Sequence, residues 1–244
     1  MVVEQLKQYK IATLSFSDRG QRQSNEDRIL FSPLHDGIYI LGIIDGMGGY
    51  NNGEAAAELA KKSILEHLSA SIDDINEKVV IDSLIKAHNA IISELDESGA
   101  TVAIVLIKND KVHISWAGDV KVFLKTGDTE FISKDHTLLN LIRESDLTIK
   151  IDEIPRLKNT VVKSLGGKSN SFVPDFVSFD LSEDFFGFIC SDGVHQLFSD
   201  RELLQALYES HKQNSLADII NRCNENAADN FSGIFFCSTG LLFH

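Results

Sequence analysis

The chain is short of the residues that mark secreted, fibrous or membrane-spanning proteins. Its 244 residues include three cysteines, Cys190, Cys223 and Cys237, too few and too scattered for a disulfide framework. None belongs to a C-x-x-C pair, which argues against a thiolate zinc site. Three buried, unpaired thiols in a reducing compartment are expected instead. With only three prolines, and no Pro/Gly/Ser linker, repeat or low-complexity stretch, nothing divides the chain, so residues 1–244 are expected to form a single domain. Long apolar runs are missing too. Val102 to Ile107 is among the longest, far below the about 20 residues of a membrane span. The start, Met-Val-Val-Glu-Gln-Leu-Lys, lacks the apolar stretch of a secretory signal. Basic residues are scarce as well, 23 Lys and Arg against 36 Asp and Glu for a formal charge of −13. That balance disfavours nucleic acid and anionic membranes as partners. A cytoplasmic monomer is expected.

What is present reads as alternating blocks of strand and helix. Ile11, Leu14 and Phe16 sit among polar neighbours as in a strand. Ile29 to Phe31 and Ile38 to Ile44 predict two more, joined at His35-Asp36-Gly37, a hairpin turn signal. Ala56, Ala60, Ile64 and Leu68 then recur every four residues, and Ile81, Leu84, His88, Ile91 and Leu95 trace a second helical stripe. His88 lies on that stripe and is expected to be packed, not catalytic. Thr101 to Ile107, Val112 to Trp116 and Val120 to Leu124 predict a meander. A helix is predicted from Thr137 to about Leu147, and a strand pair from Phe176 to Leu181 and Phe185 to Cys190. Leu203 to Tyr208 and Leu216 to Ala228 predict helices, and Ile234 to Cys237 a last strand. Strands in blocks, with two long helices together, predict antiparallel sheets with helices outside them.

The aspartates fall in a pattern. Asp45 ends an apolar strand before Gly46-Met47-Gly48-Gly49, and Asp192 ends another before Gly193. Asp119 follows Gly118 after the strand through Trp116. Asp229 precedes Asn230 and the final strand, and Asp27 precedes a strand in Asn25-Glu26-Asp27. One Asp-Gly pair after a strand is most often a turn, and Asp36-Gly37 is read as that. Five acidic residues at strand ends from separate parts of the chain would converge at one edge and repel one another. A hard divalent cation relieves that repulsion, and a set of oxygen donors alone favours Mg²⁺ or Mn²⁺. Gly46, Gly48 and Gly49 would let the backbone approach a metal or phosphate closely. Arg22, five residues before Asp27, is suited to two phosphate oxygens at once. Cys190 and Ser191 beside Asp192 lack a G-x-S-x-G elbow, so no protein nucleophile is expected.

Taken in order, Arg22-x-x-Asn25-Glu26-Asp27, Asp45-Gly46-Met47-Gly48-Gly49 with Gly53-Glu54, Gly99-Ala100-Thr101, Gly118-Asp119, Asp135-His136, Ser191-Asp192-Gly193 and Asp229-Asn230 resemble the metal-dependent protein phosphatases of type 2C, in particular compact bacterial members. The resemblance implies an α+β fold, a four-layer αββα sandwich of two antiparallel sheets flanked by helix pairs, with a flap at about 138–167. It implies two Mg²⁺ or Mn²⁺ ions, with a third possible. Asp45 would bridge two ions, the Gly46 carbonyl would bind one, and Asp192 and Asp229 would complete the other's shell. Asp119 with Asp192 would hold the third, Asp27 would act through a water, and Arg22 would bind substrate phosphate. The implied activity is hydrolysis of phosphoserine and phosphothreonine in proteins by metal-activated water, opposing a serine/threonine kinase. Its alternatives are a weakly active regulatory relative or a phosphatase for small phosphate esters on the same fold.

Several positions depart from the family wording. Gly118-Asp119-Val120-Lys121 stands for Gly-Asp-Ser-Arg, and Met47 stands where many eukaryotic members have histidine. Val161 to Gly167 differs from the usual Thr-Arg-Ala-Leu-Gly, and Ser232 replaces a threonine. None removes a predicted ligand. His136 is expected to be structural, with Asp135 or Thr137 capping the helix that follows.

Overall fold

The computed structural model describes residues 8–35, 37–48, 52–145, 149–167 and 172–242. Two antiparallel five-stranded sheets face each other. One holds, in spatial order, β1 (Gln8–Asp18), β10 (Phe231–Leu242), β9 (Phe185–Cys190), β6 (Lys121–Thr126) and β7 (Thr129–Ile132). The other holds β2 (Asp27–His35), β3 (Ile38–Met47), β4 (Gly99–Lys108), β5 (Lys111–Ala117) and β8 (Asp175–Asp180).

The side-chain period of a strand explains the layering. In β3 and β4, Ile40, Ile44, Val102, Ile104 and Leu106 point outward. There they meet Ala56, Ala60 and Ile64 of α1 (Asn52–Ala70) and Leu84 and Ile91 of α2 (Glu77–Glu94). The alternate residues Leu41, Ile43, Val105 and Ile107 point inward onto Val122, Phe185, Ile189 and Phe236 of the facing sheet. That sheet's outer face, with Phe186, Phe188 and Phe235, is covered by Leu203 and Leu207 of α6 (Asp200–Gln213) and Ile219 of α7 (Ala217–Asn226). The central strands are apolar on both faces, which is why β4 and β9 read as continuous apolar runs without alternation. Each of these fully buried Leu, Ile or Phe side chains contributes about 1.5–3 kcal/mol. The result is the expected αββα sandwich.

Two connections differ from expectation. Phe176–Leu181 and Phe185–Cys190 do not pair with each other. β8 pairs with β5 in one sheet, and β9 lies between β10 and β6 in the other. Burial separates them, since β8 is a partly exposed edge strand while β9 is buried throughout. The meander also breaks, because β4 and β5 form a hairpin but β6 crosses to the opposite sheet. β7, a short edge strand that the sequence pattern does not reveal, pairs with β6. Gly118 makes the crossing possible. It adopts φ +104°, and a Cβ there would lie 2.3 Å from the Thr101 Cβ.

The expected hairpin between β2 and β3 is present, although Asp36 lies outside the described residues, as do Gly49 and Leu147. The lobe after β7 carries α3 (Leu138–Glu144) and α4 (Ile154–Lys158) and is closed at its base by a bridge from Thr137 to Val161. Beyond that bridge, Leu165 is fully buried in the helix–sheet layer and pairs with Ala100.

Candidate metal centre

Strand register brings the acidic residues together. Asp27 at the start of β2 pairs directly with Asp45 near the end of β3, and directly paired residues share a face of the sheet. In the other sheet, β9 and β10 are neighbours, and the Ser191 amide donates to the Ser232 carbonyl at 3.1 Å. That places Asp192, which opens the short helix α5 (Asp192–His195), beside Asp229 just before β10. Asp119 arrives on the crossing after Gly118. Asp45, Asp119, Asp192 and Asp229 thus line one cavity of about 490 Å³ with Gly46, Met47, Glu26 and Arg22. Asp27 lies behind its wall, 3% exposed. The structure therefore gathers every acidic residue singled out in the sequence.

The packing that positions them is specific. Ser191 Oγ donates to Asp27 Oδ2 at 2.8 Å and accepts from the Ser232 amide at 2.9 Å. Asn230 accepts from the Glu26 amide and donates to the carbonyls of Arg19 and Ser24, tying the loop that carries Arg22 to the start of β10. Gly53, in the first turn of α1, packs against Gly46 and the Glu26 carboxylate. A Cβ on it would lie 2.2 Å from Glu26 Oε2. The loop after Asp45 therefore meets the N-terminus of α1.

Two histidines fix Asp119. His195 is buried, and burial pushes its imidazole down to about 3, so the ring is neutral. Its Nε2 lies 2.8 Å from the Asp119 carbonyl and donates to it. His136 Nδ1 accepts from the Gly118 amide at 3.0 Å, and its own amide donates to the Gly118 carbonyl at 2.9 Å. Its ring stacks on Trp116. His136 is structural, as expected, but the expected cap is not made, for neither Thr137 nor Asp135 caps α3 through its side chain. Lys121, the last residue of the departing Gly-Asp-Val-Lys motif, is buried and lies 3.1 Å from Asp135 and 3.0 Å from Asp200. Sequence reading missed Glu26, Ser191, Asn230 and His195 as site residues. The first three adjoin predicted ligands and could have been inferred from that, whereas nothing in the sequence distinguishes His195.

The electrostatics show what the cavity lacks. Burial, then repulsion from Asp27, Asp192, Asp119 and Asp229, holds the Asp45 carboxyl well above the usual carboxylate range. Burial and the charges of Asp119, Asp229 and Asp27 push Asp192 up to about 8, and burial pushes Asp27 up to about 6. Asp27 Oδ1 is buried with no hydrogen-bond partner. Five carboxylates line the cavity against one guanidinium, and Arg22 is already hydrogen-bonded to Asp229 at 2.5 Å. Among the described residues, no three His, Cys, Asp or Glu side chains converge as a ready ligand set. The donor chemistry nonetheless fits hard divalent cations, with all-oxygen donors, an excess of negative charge and an orphaned carboxylate oxygen.

A family model described as protein phosphatase 2C matches residues 17–138. The serine/threonine protein phosphatase PstP of Mycobacterium tuberculosis is 26% identical over 201 residues, covering 78% of this chain and 38% of PstP. The chain thus spans well under half the length of that relative. Protein phosphatase PhpP of Streptococcus pneumoniae is 27% identical over 198 residues, 77% of this chain and 80% of PhpP. The solved catalytic domain of PstP, in complex with two manganese ions, superposes with a TM-score of 0.74 at 22% identity. It covers 96% of this chain and 99% of that domain. The matched segment is half of the chain and takes in Arg22, Asp45 and Asp119 of the acidic cavity and Asp27 behind its wall, and with it the chain belongs to the protein phosphatase 2C family.

Proposed function

We propose that the chain is a Mg²⁺- or Mn²⁺-dependent protein phosphatase that hydrolyses phosphoserine and phosphothreonine. The observation that carries this reading is the cavity in which strand register collects Asp45, Asp119, Asp192 and Asp229 around one guanidinium. The names of the relatives and the two manganese ions in the PstP domain support it. Asp45, the Gly46 carbonyl, Asp192 and Asp229 would hold two ions, Asp119 with Asp192 a third, and Asp27 would act through a water. Such ions, when bound, supply electrostatic activation of the phosphoryl centre and of the attacking water.

The chain's own residues do the rest. Arg22, with a side chain 60% exposed, can turn from Asp229 to engage two phosphate oxygens. Ser191 fixes the Asp27 carboxylate, and the two histidines fix the Asp119 backbone. Met47 lines the cavity but offers no proton. Asn159 and Val161 of the flap also line it, so the flap borders the substrate. The physiological substrates are read as phosphoproteins modified by an opposing serine/threonine kinase. Among the described residues no helix is long and apolar enough to cross a membrane. The three buried, unpaired cysteines suit a reducing compartment, and the reading is of a monomeric cytoplasmic enzyme.

The test is phosphate release from phosphothreonine and phosphoserine peptides with Mn²⁺, with chelator, and in Asp45→Asn and Asp229→Ala. Loss of about 10³-fold in kcat in each variant is expected. Turnover that survives chelation, or full activity in either variant, would overturn the reading.

A further inference from the structure

A second cavity, of about 510 Å³, lies between the flap and the body and shares no lining residue with the acidic one. Its size is that of a small-molecule site. Leu139 of α3, Ile154 of α4 and Phe198 supply an apolar wall. Its cations are of two kinds. Lys121 is neutralised by Asp135 and Asp200, and Lys134 by Glu144. Arg143, at the end of α3, and Lys158, at the end of α4, have no ion-pair partner among the described residues.

Two cations without an ion-pair partner among the described residues, at one concavity, run against a molecule of charge −13. Beside an apolar wall they match one kind of ligand. We infer that this cavity binds a small organic anion, an apolar or aromatic body bearing a phosphate-like dianion. The body would lie on Leu139, Ile154 and Phe198, and the dianion between Arg143 and Lys158. The site does not depend on the catalytic reading. Its position still ties it to the acidic cavity, since Lys158 lines one and the next residue, Asn159, lines the other. His195, which holds the Asp119 backbone, is also part of its wall.

Phenylphosphonate, which has both parts and no hydrolysable ester, is the probe. With Mg²⁺ present, methyl NMR spectra of the protein should show saturable shifts at Leu139 and Ile154 with a Kd of about 1 mM or tighter. The double variant Arg143→Glu/Lys158→Glu should weaken this binding about tenfold or more. Arg143→Gln and Lys158→Gln, milder changes at exposed positions, should each weaken it in part. Arg22→Ala should leave these shifts intact, which separates them from binding in the acidic cavity. Absence of saturable shifts at Leu139 and Ile154, unchanged affinity in the charge variants, or equal binding of neutral benzyl alcohol would overturn the inference.

Discussion

Replacing Asp192 by asparagine should stabilise the metal-free protein while abolishing its activity. Asp192 is pushed up to about 8 by burial and by the charges of Asp119, Asp229 and Asp27. A move from 3.8 to about 8 corresponds to about 6 kcal/mol against the ionised form. Burial is the largest part of that cost and the rest is repulsion shared among carboxylates that titrate together, so removing the charge should recover about 3 kcal/mol. The sign follows from proton counting. The native state holds the Asp192 proton that the unfolded chain has released, so stability falls as pH rises from about 4 to about 8. The asparagine oxygen can still accept the hydrogen bond that Gln196 Nε2 gives Asp192 at 2.7 Å, so little packing is lost. Thermal unfolding in chelator at pH 8 should therefore show a Tm raised by about 6–12 °C, with a gain below about 1 kcal/mol at pH 5. Added Mn²⁺ should stabilise the parent protein and leave the variant almost unmoved. A variant that is less stable in chelator at pH 8, or whose gain is equal at pH 5 and pH 8, would refute the account of the acidic cavity.

Other substitutions probe the supporting contacts. Arg22→Ala should raise KM for a phosphopeptide about tenfold or more with a smaller change in kcat; steady-state kinetics decide this, and an unchanged KM removes its phosphate role. Ser191→Ala deletes the hydroxyl bonded to both Asp27 and the Ser232 amide, and should cost about 1–3 kcal/mol by denaturant unfolding and weaken Mn²⁺ binding. Lys121→Met leaves Asp135 buried without its cation and should cost about 3 kcal/mol or more in unfolding at pH 8. The loss should be smaller at pH 5, because Asp135, pushed up to about 6 by burial, is then protonated.

Layering and the convergence of the carboxylates were legible because both rest on local pattern. The run Ile40, Leu41, Ile43 and Ile44 is apolar on consecutive positions, as a strand covered on both faces must be. Asp27, Asp45, Asp192 and Asp229 adjoin strand ends, and strands of one sheet edge finish together. Pairing across sheets was not legible. Phe176–Leu181 and Phe185–Cys190 are separated by three residues and look like a hairpin, yet the chain changes sheets between them. Ser182 marks that change, its Oγ accepting from the Gly127 amide and its amide donating to Thr126 Oγ1, both at 2.8 Å. The clue was in composition, since an alternating edge strand and a continuously apolar central strand occupy different places in a sheet. His195 was invisible because its role depends on a backbone carbonyl 76 residues away.

The pairing of Arg22 with Asp229 carries the charge argument one step further. A guanidinium bonded through Nη2 to a carboxylate at 2.5 Å directs that donor and its charge toward the carboxylate instead of a phosphate. Arg22 is freed for the substrate when Asp229 has found another counter-charge, because leaving Asp229 unpaired adds its charge to the burial and repulsion that already push Asp192 and Asp27 up. Binding of a divalent cation and binding of a phosphate therefore favour each other through these two side chains. Affinity for inorganic phosphate should rise with Mn²⁺ concentration in the parent protein. In Asp229→Asn, where Arg22 no longer faces a charged competitor, the part of that coupling that comes from freeing Arg22 should disappear.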